Sequence, residues 1–236
     1  MRWLEAELPG ARAAFSTRLG GVSGGAYASL NLGVRTGDER AAVLENRRRL
    51  AGALGLAPER VLMARQVHGA EVVRAAGPPR PPLFATGEPA PVEADGQATS
   101  RPGLAACVLV ADCLPIALAG PGGVAMLHCG WRGLAAGIIE RGAREVGARA
   151  AAVGPGIGPC CYEVGADVLD AFAGLGGVAE GRMLDLRAVA RELLAAAGVE
   201  RVEVAEACTS CEAELFFSHR RDGGTTGRQG GFAWLA

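Results

Sequence analysis

The chain has 236 residues, half of them hydrophobic, and a formal net charge of −1 with acidic and basic residues interspersed. This composition suits one large globular domain and disfavours a polyanion-binding or membrane-seeking surface, so we expect a small-molecule partner, no nucleic acid and no membrane. The first ten residues lack the basic and apolar regions of a secretory signal, so export is not expected. Prolines and glycines interrupt the longest uncharged run, which disfavours a membrane span. We therefore expect a cytoplasmic protein.

The seven cysteines are too sparse for a disulfide scaffold. We therefore expect reduced thiols, of which some can bind metal. The sequence leaves the oligomeric state open between a monomer and a weak homodimer.

The N-terminal part is predicted to contain a strand at residues 13–16, a glycine-rich loop that ends at Asn31, and a helix over residues 39–54. The loop is either a surface excursion or a place where backbone N–H groups meet a ligand. Arginines 47–49 fan around the helix, mostly as a solvated face. One of them, taken as Arg47, is a candidate for contact with a ligand.

Residues 61–73 are predicted as two short strands about the break QVHGA, which places His68 at a turn. A histidine at the end of a strand is either a ligand or an ordinary exposed side chain. Residues 77–91 are proline-rich and predict an irregular loop, and the pair Asp95-Gly96 predicts a turn into the central strands.

A hairpin is predicted at the centre of the chain. Residues 107–119 read as one strand, 120–123 as a turn and 124–129 as the returning strand. Pairing Ala119 with Val124 sets Pro115 opposite His128.

This register places Cys113 and His128 on one face as diagonal neighbours, with Cβ atoms about 7–8 Å apart. That spacing allows both side chains to reach one ion, or an imidazole to reach a thiol. The alternative is that both are ordinary core residues. Asp112 is costly to bury without a partner, and it could orient the histidine.

After the hairpin, strands and helices mix without strict alternation. A helix is predicted over residues 134–146, where the preceding turn, with Arg132, could hold an anion at the helix N-terminus. A strand over 151–157, a helix over 164–172, a helix capped by Asp185 that ends at residue 197 and a strand over 202–207 follow.

Two motifs lie in the last thirty residues. Cys208 and Cys211 have metal-ligand spacing, but the sequence shows no partner pair, so no metal site is predicted there. The tail is either a flexible segment or a loop that cradles phosphate, anchored by Phe216-Phe217 before it and by Phe232 and Trp234 after it. Its polar residues are Arg220, Arg221, Asp222, Thr225, Thr226 and Arg228.

Eight motifs follow one another in an order that resembles one known family nearly end to end. The sequence resembles the YfiH and FAMIN (laccase domain-containing) family of purine nucleoside phosphorylases, also called the polyphenol oxidase or peptidoglycan editing factor family. The motifs are FSTRLGGVSGGAYASLNLG, ENRRRL, QVHGAEV, ADGQATSRPGL, VADCLPIAL, LHCGWRGLAAGII, GPGIGPCCYEVG and FSHRRDGGTTGRQGG.

The resemblance implies an α/β (α+β) fold in one domain, residues 1–236, with packed mixed β-sheets flanked by helices. It is similar to the cysteine-hydrolase fold of the cytotoxic necrotizing factor type. The family binds Zn²⁺ through the histidine of QVHG, the cysteine of ADC and the histidine of HCGW, which implies His68, Cys113 and His128 here. Three protein ligands leave one tetrahedral position open, which is the catalytic pattern.

The implied reaction is phosphorolysis of adenosine, guanosine, inosine and methylthioadenosine, with hydrolytic deamination of adenosine as a second activity. His68, Cys113 and His128 are then the catalytic residues. Candidates for contact with the nucleoside or phosphate are Asn31, Arg47, Arg132, Arg220, Arg221, Asp222 and Arg228.

Three alternatives stay open at this stage. The editing-factor branch of the family implies removal of serine from UDP-MurNAc-Ser. A multicopper oxidase needs more histidines than the three in this chain, but a single copper site with Met126 as a weak axial ligand is possible. Cys113 could also act as a nucleophile with His128 as its base, although a thiolate bound to zinc is poorly placed for attack.

Overall fold

Two mixed β-sheets form the centre of the structure, and helices cover their outer faces. The computed structural model describes residues 1–236. The strands are β1 (Trp3–Leu8), β2 (Ala11–Ser16), β3 (Val61–Leu62), β4 (Val72–Ala75), β5 (Gly96–Thr99), β6 (Ala105–Val110), β7 (Leu114–Gly120), β8 (Gly123–Cys129), β9 (Ala150–Val153), β10 (Ala179–Glu180), β11 (Met183–Leu184), β12 (Arg201–Val204) and β13 (Gln229–Leu235). The helices are α1 (Arg40–Ala53), α2 (Leu83–Thr86), α3 (Trp131–Ala135), α4 (Ile138–Val146), α5 (Ala166–Asp170) and α6 (Leu186–Ala196).

The first sheet has the order β1-β2-β13-β6-β3, and the second has the order β12-β9-β7-β8-β5-β4. Both are mixed, because β3 pairs with β6, β4 with β5 and β12 with β9 in parallel while the other pairs are antiparallel. Strands β10 and β11 form a separate small ribbon.

The layer between the two sheets is made of small side chains. Nine of its fifteen buried residues are alanines, including Ala106 on β6 and Ala117 and Ala119 on β7. Alternate residues of a strand point to opposite faces. On β7, therefore, Ile116 and Leu118 point away from this layer and toward the helices.

Two further apolar layers lie outside the sheets. Helices α4 and α6 cover the second sheet through a cluster of 28 buried residues, among them Ile139 and Val189. Helix α1 covers the first sheet, where Leu50 packs in a cluster with Phe232 and Trp234. The expected α/β class with packed mixed sheets and flanking helices is confirmed. No helix has the length and apolarity required to cross a membrane.

The stretch predicted as one strand over residues 107–119 is two strands in different sheets, so that prediction is wrong. Strand β6 ends at Val110 in the first sheet and β7 begins at Leu114 in the second. Between them Asp112 has φ +90°, a conformation that a continuous strand cannot contain. The predicted hairpin itself is confirmed, with Ala119 opposite Val124 and Pro115 opposite His128.

The chain crosses between the sheets twice at the same edge. Strands β3 and β6 are parallel neighbours, so their carboxyl ends meet there, and each continues into the second sheet through a short connection. The first connection carries His68 and the second carries Cys113. His128 lies opposite Pro115 at the adjoining end of β8.

Several predicted boundaries are corrected. The helix predicted over residues 134–146 is divided into α3 and α4, because Gly137 adopts a left-handed conformation between them. The predicted strands over 151–157 and 202–207 end at Val153 and Val204, and the helix predicted over 164–172 spans only Ala166–Asp170. The capping role of Asp185 is confirmed, because its carboxylate accepts two amide hydrogen bonds of α6.

The tail is anchored in the core as predicted, and it also contributes a central strand. Phe216 and Phe217 are fully buried, and β13 lies between β2 and β6. The alternative of a flexible tail is therefore wrong. Because β13 runs antiparallel to β6, it begins at the edge where His68 and Cys113 lie.

Replacement of Leu118 by alanine tests this layering. Leu118 is fully buried between the second sheet and α4, so Leu118→Ala is expected to lower the free energy of unfolding by about 2–5 kcal/mol. The partly exposed Leu19 is the control, since Leu19→Ala should stay within about 0.5 kcal/mol of the parent. Urea denaturation of both variants measures the difference, and equal effects would contradict the buried position of Leu118.

Candidate metal centre

The carboxylate of Asp95 lies at the base of the site and is fully buried. Its Oδ2 accepts hydrogen bonds from the amides of Val67 at 3.0 Å and Gly69 at 2.7 Å, and its Oδ1 accepts one from the amide of His68 at 3.0 Å. These three bonds hold His68 in a left-handed conformation with φ +61°. A buried carboxylate requires such partners to offset its desolvation.

The same carboxylate orients His128. Nδ1 of His128 lies 2.7 Å from Oδ1 of Asp95, and the backbone amide of His128 donates to the carbonyl oxygen of Asp95 at 2.7 Å. With Nδ1 donating to Asp95, Nε2 is the ring nitrogen left to bind a ligand.

His68, Cys113 and His128 meet at one point. One ligand atom from each lies within 4.8 Å of the others, and the two imidazole rings are edge to face with centroids 4.8 Å apart. The backbone of Gly130 borders the group so closely that a Cβ there would stand 2.9 Å from Sγ of Cys113. The predicted convergence of Cys113 and His128 on one face is therefore present, and His68 completes a set that can hold one metal ion.

Cys113 and His128 shift each other's pKa in opposite directions. Burial raises the pKa of the Cys113 thiol, but the charge and hydrogen bonds of His128 and His68 outweigh it and lower that pKa to about 6. Burial lowers the pKa of His128, but the thiolate of Cys113 and the hydrogen bond to Asp95 raise it to about 9. At neutral pH the pair without metal is therefore a thiolate beside an imidazolium.

Asp112 does not orient the histidine, so that prediction is wrong. Its Oδ1 accepts a hydrogen bond from Oγ1 of Thr209 at 2.7 Å, and its Oδ2 accepts one from the backbone amide of Arg220 at 2.7 Å. Its backbone carbonyl accepts from the amide of Ile157 at 2.8 Å. Asp112 therefore fixes two neighbouring loops in place. The residue that orients His128 is Asp95.

A cavity of about 690 Å³ opens over the three ligands. Its lining is electropositive, because the carboxylates of Glu88 and Asp112 are outnumbered by seven arginines. Apolar and aromatic groups, including Trp131 and Tyr162, form part of the wall. The arginines are Arg35, Arg40, Arg47, Arg65, Arg132, Arg220 and Arg228.

Three arginines predicted to contact substrate or phosphate share this cavity with the metal ligands. Arg132 stacks on Trp131, with its guanidinium carbon 4.4 Å from the ring centroid, and donates no hydrogen bond to the protein. Arg220 lies over Tyr162 and donates to the carbonyl of Glu163. Arg228 donates from Nη1 to the carbonyls of Thr226 and Gly227.

The other predicted contact residues have structural partners. Arg47 lines the cavity, but its Nε and Nη1 donate to backbone carbonyls. Asn31 is fully buried and holds the amides of Gly33 and Arg228. Arg221 donates to Asp222 and to three backbone carbonyls. Asn31, Arg221 and Asp222 do not line the cavity, so the structure gives no support for direct contact between these three residues and a ligand.

Sequence reasoning missed Asp95, Tyr162 and His219 as residues of the site. The local sequence indicates only a turn at Asp95, although a carboxylate directly before a buried strand is a signal that it needs a polar partner. Tyr162 and His219 line the cavity from separate loops. Burial and the negative charge of Cys113 raise the pKa of Tyr162 to about 12.

Met126 lies on the same face of β8 as His128, as expected, but it does not line the cavity. It is fully buried between the sheets, and its sulfur lies 3.1 Å from the point where a Cβ on Gly231 would stand. The structure therefore gives no support for Met126 as a fourth ligand.

Comparisons with known proteins agree on one family. The family model described as multi-copper polyphenol oxidoreductase laccase matches residues 12–236. A relative named purine nucleoside phosphorylase YfiH, from Shigella flexneri, is 40% identical over 96% of this chain and 94% of its own. A purine nucleoside phosphorylase from Deinococcus radiodurans is 45% identical over 91% of this chain and 85% of its own. The crystal structure of YlmD from Geobacillus stearothermophilus has a TM-score of 0.88 at 39% identity, covering 99% of this chain and 96% of its own.

Replacement of Asp95 tests its role behind the ligands. Asp95→Asn is expected to weaken zinc affinity by about 10–100-fold, because the imidazole of His128 loses the acceptor that orients it. Asp112→Asn is the matched control, since Asp112 is also buried but contacts neither histidine. Competition with a chromophoric chelator measures both affinities, and equal weakening in the two variants would contradict the role assigned to Asp95.

The pKa values of Cys113 and His128 predict how metal binding depends on pH. Between pH 6 and pH 9 the thiol is already ionised while His128 carries a proton. Zinc must displace that proton, so affinity should rise about tenfold per pH unit in this range and more steeply below pH 6, where Cys113 also binds a proton. Calorimetry in buffers of different ionisation enthalpy should detect release of about one proton at pH 7.5. No net release at that pH would contradict the imidazolium–thiolate pair.

Proposed function

The chain belongs to the YfiH family, whose model carries the laccase description, and on that premise we propose that it is a zinc-dependent purine nucleoside phosphorylase. The proposed substrates are phosphate and adenosine, guanosine, inosine or methylthioadenosine. The bond between C1′ and N9 breaks, a bond from C1′ to a phosphate oxygen forms, and the base leaves with a proton. Hydrolytic deamination of adenosine is proposed as a second activity.

The observation that carries this proposal is the shared cavity. His68, Cys113 and His128 open onto the same space as three arginines that can take an anion. A phosphorolytic site must hold phosphate beside the ribose, and cationic donors that line the cavity serve that purpose. The volume of about 690 Å³ also lies within the range of small-ligand sites.

The donor set fits zinc. Two imidazoles and one thiolate are ligands that Zn²⁺ prefers, and the buried carboxylate of Asp95 completes the usual support behind a ligating histidine. When bound, zinc would supply a Lewis acid that polarises a substrate oxygen or activates water. Cys113 acts in this proposal as a ligand and not as a nucleophile.

The arginines differ in their freedom to bind phosphate. Arg132 has no hydrogen bond to the protein, so its donors are available to an anion. Arg220 keeps one side-chain bond to a carbonyl while its backbone amide is held by Asp112. Arg228 is half-buried, and burial lowers its pKa. We assign Arg132 and Arg220 to the binding of phosphate. Arg228 instead stabilises the cavity wall through its hydrogen bonds to backbone carbonyls.

The aromatic wall suits a purine. Trp131 and Tyr162 line the cavity, where Arg132 lies over the first ring and Arg220 over the second. Stacking on aromatic faces is a common way to hold a base. A base that covers these faces also excludes water from the reacting atoms.

Copper chemistry has less support than zinc chemistry at this site. A multicopper oxidase needs many histidines, and the chain has three. A single copper site of the blue type uses a weak axial ligand, and Met126 lies outside the cavity. The laccase description of the family therefore is not part of the proposal.

Incubation of the zinc-loaded enzyme with adenosine tests the function. With phosphate it should yield adenine and ribose 1-phosphate, and without phosphate it should yield inosine. Arg132→Gln should raise the KM for phosphate about tenfold or more and leave deamination unchanged, because a charged hydrogen bond is lost only in the phosphorolytic reaction.

Two controls make this test specific. Arg101→Gln removes an exposed arginine outside the cavity and should alter neither reaction. Cys113→Ser should lose the zinc ion of this centre and both activities together, because a hydroxyl is a poor zinc ligand at neutral pH. Release of serine from UDP-MurNAc-Ser by a preparation that does not turn over adenosine would replace this proposal with the editing reaction.

A further inference from the structure

The structure brings four cysteines together at a place remote in sequence from the first centre. Cys160 and Cys161 lie in the loop after β9, and Cys208 and Cys211 lie after β12. Their sulfur atoms all lie within 4.8 Å of one another. The sequence showed one CxxC pair without a partner, and the fold supplies Cys160 and Cys161 as the missing pair.

We propose that Cys160, Cys161, Cys208 and Cys211 form a second metal site that binds one Zn²⁺ through four thiolates.

The separations of the sulfur atoms fit a single ion. Zinc with four thiolates at about 2.3 Å places neighbouring sulfurs about 3.8 Å apart. Sγ of Cys211 lies 3.5 Å from Sγ of Cys160 and 3.4 Å from Sγ of Cys161. A disulfide would require about 2.05 Å, and all four cysteines are free. Sulfurs this close together leave room for one ion and not for a multi-iron cluster, and zinc exceeds iron(II) in affinity for such a site.

The backbone around Cys208 is arranged for a thiolate. The amide of Gly158 donates to Sγ of Cys208 at 3.2 Å. Amide hydrogen bonds to a ligating sulfur are typical support for a metal ligand.

A buried cation lies beside the four sulfurs. Arg187 is only 6% exposed, and its Nε and Nη1 have no hydrogen-bond partner. Its nearest carboxylates, on Asp185 and Glu206, lie 3.8 Å and 3.5 Å away. A Cβ on Gly158 would stand 2.7 Å from Nη2 of Arg187 and 3.3 Å from Sγ of Cys160.

Arg187 therefore lies where it can offset the charge of the proposed site. Zn²⁺ with four thiolates carries a net charge of about −2, and a partly buried cation next to it reduces the cost of that charge. Nε and Nη1 of Arg187 face carboxylates only at ion-pair distance and make no hydrogen bond, so the guanidinium is not fully satisfied by the protein.

The proposed site would join two loops that form one wall of the first cavity. The loop with Cys160 and Cys161 also carries Ile157 and Tyr162, and both line that cavity. In the segment after Cys208, the hydroxyl of Thr209 donates to Asp112, which also accepts from the amide of Arg220. The carbonyl of Thr209 accepts from the guanidinium of Arg221. The second ion would therefore act as a brace, closed by four protein ligands and without an open position for substrate.

Metal analysis of protein purified anaerobically from zinc-supplemented cells tests the proposal. The double variant Cys160→Ser/Cys211→Ser should contain one zinc ion per chain less than the parent. Both residues are exposed, so the substitutions should cost little packing. Ser210→Ala, in the same turn but without a ligand atom, is the matched control and should keep the parent zinc content. Cys113→Ser changes the other centre alone, so the two sites are counted independently.

A spectroscopic measurement detects the proposed site directly while all four cysteines are present. Cobalt-substituted Cys113→Ser protein should show the intense ultraviolet thiolate-to-cobalt absorption of a four-thiolate site. The double variant in the Cys113→Ser background should lose that absorption. Unchanged zinc in the double variant, absence of the cobalt band, or a Cys211 disulfide in the anaerobically purified parent would each overturn the proposal.

Discussion

The buried carboxylate of Asp95 is the constraint on which the candidate metal centre depends. It accepts three successive backbone amides of the loop that carries His68, and it also faces Nδ1 of His128. One side chain therefore fixes both the backbone conformation of the first ligand and the ring orientation of the second. Its buried charge is stable because four donors surround it, and hydrogen bonding to a charged form favours that form. Burial raises the pKa of Asp95, but the hydrogen bonds from His128, Val67 and Gly69 outweigh it and keep that pKa below its ordinary value.

The two-sheet architecture explains why the ligands meet. Two parallel neighbours, β3 and β6, leave the first sheet at the same edge and enter the second sheet through short connections. Connections of this kind place irregular backbone and its side chains at the border between packed sheets, where a cavity can open without disrupting either core. The alanine-rich layer between the sheets keeps them close, so the two crossings can be short.

Arginine serves two purposes around the cavity. Arg47 donates hydrogen bonds to backbone carbonyls, and Arg221 donates to backbone carbonyls and to Asp222. Both arginines therefore hold loops in place. Arg132 keeps its donors free. The four-cysteine cluster would add a second form of support, since Cys161 directly precedes Tyr162 in the wall of the cavity. Under the proposed function, the positions of the arginines that contact phosphate would therefore depend on residues that do not contact it.

The sequence by itself determined the local features. Strand alternation and the tight turn fixed the register of the β7–β8 hairpin, and side-chain chemistry identified Asp185 as a helix cap. The three metal ligands came from resemblance, and only the pairing of Cys113 with His128 followed from register. Tertiary structure decided the rest. The pattern of apolar residues is the same for one continuous strand and for two strands that lie in different sheets. The break at Asp112 is therefore not visible in the sequence. Partners far apart in the chain, such as Asp95 with His128 or Cys160 with Cys211, meet only because the sheets pack, and no local pattern records such contacts.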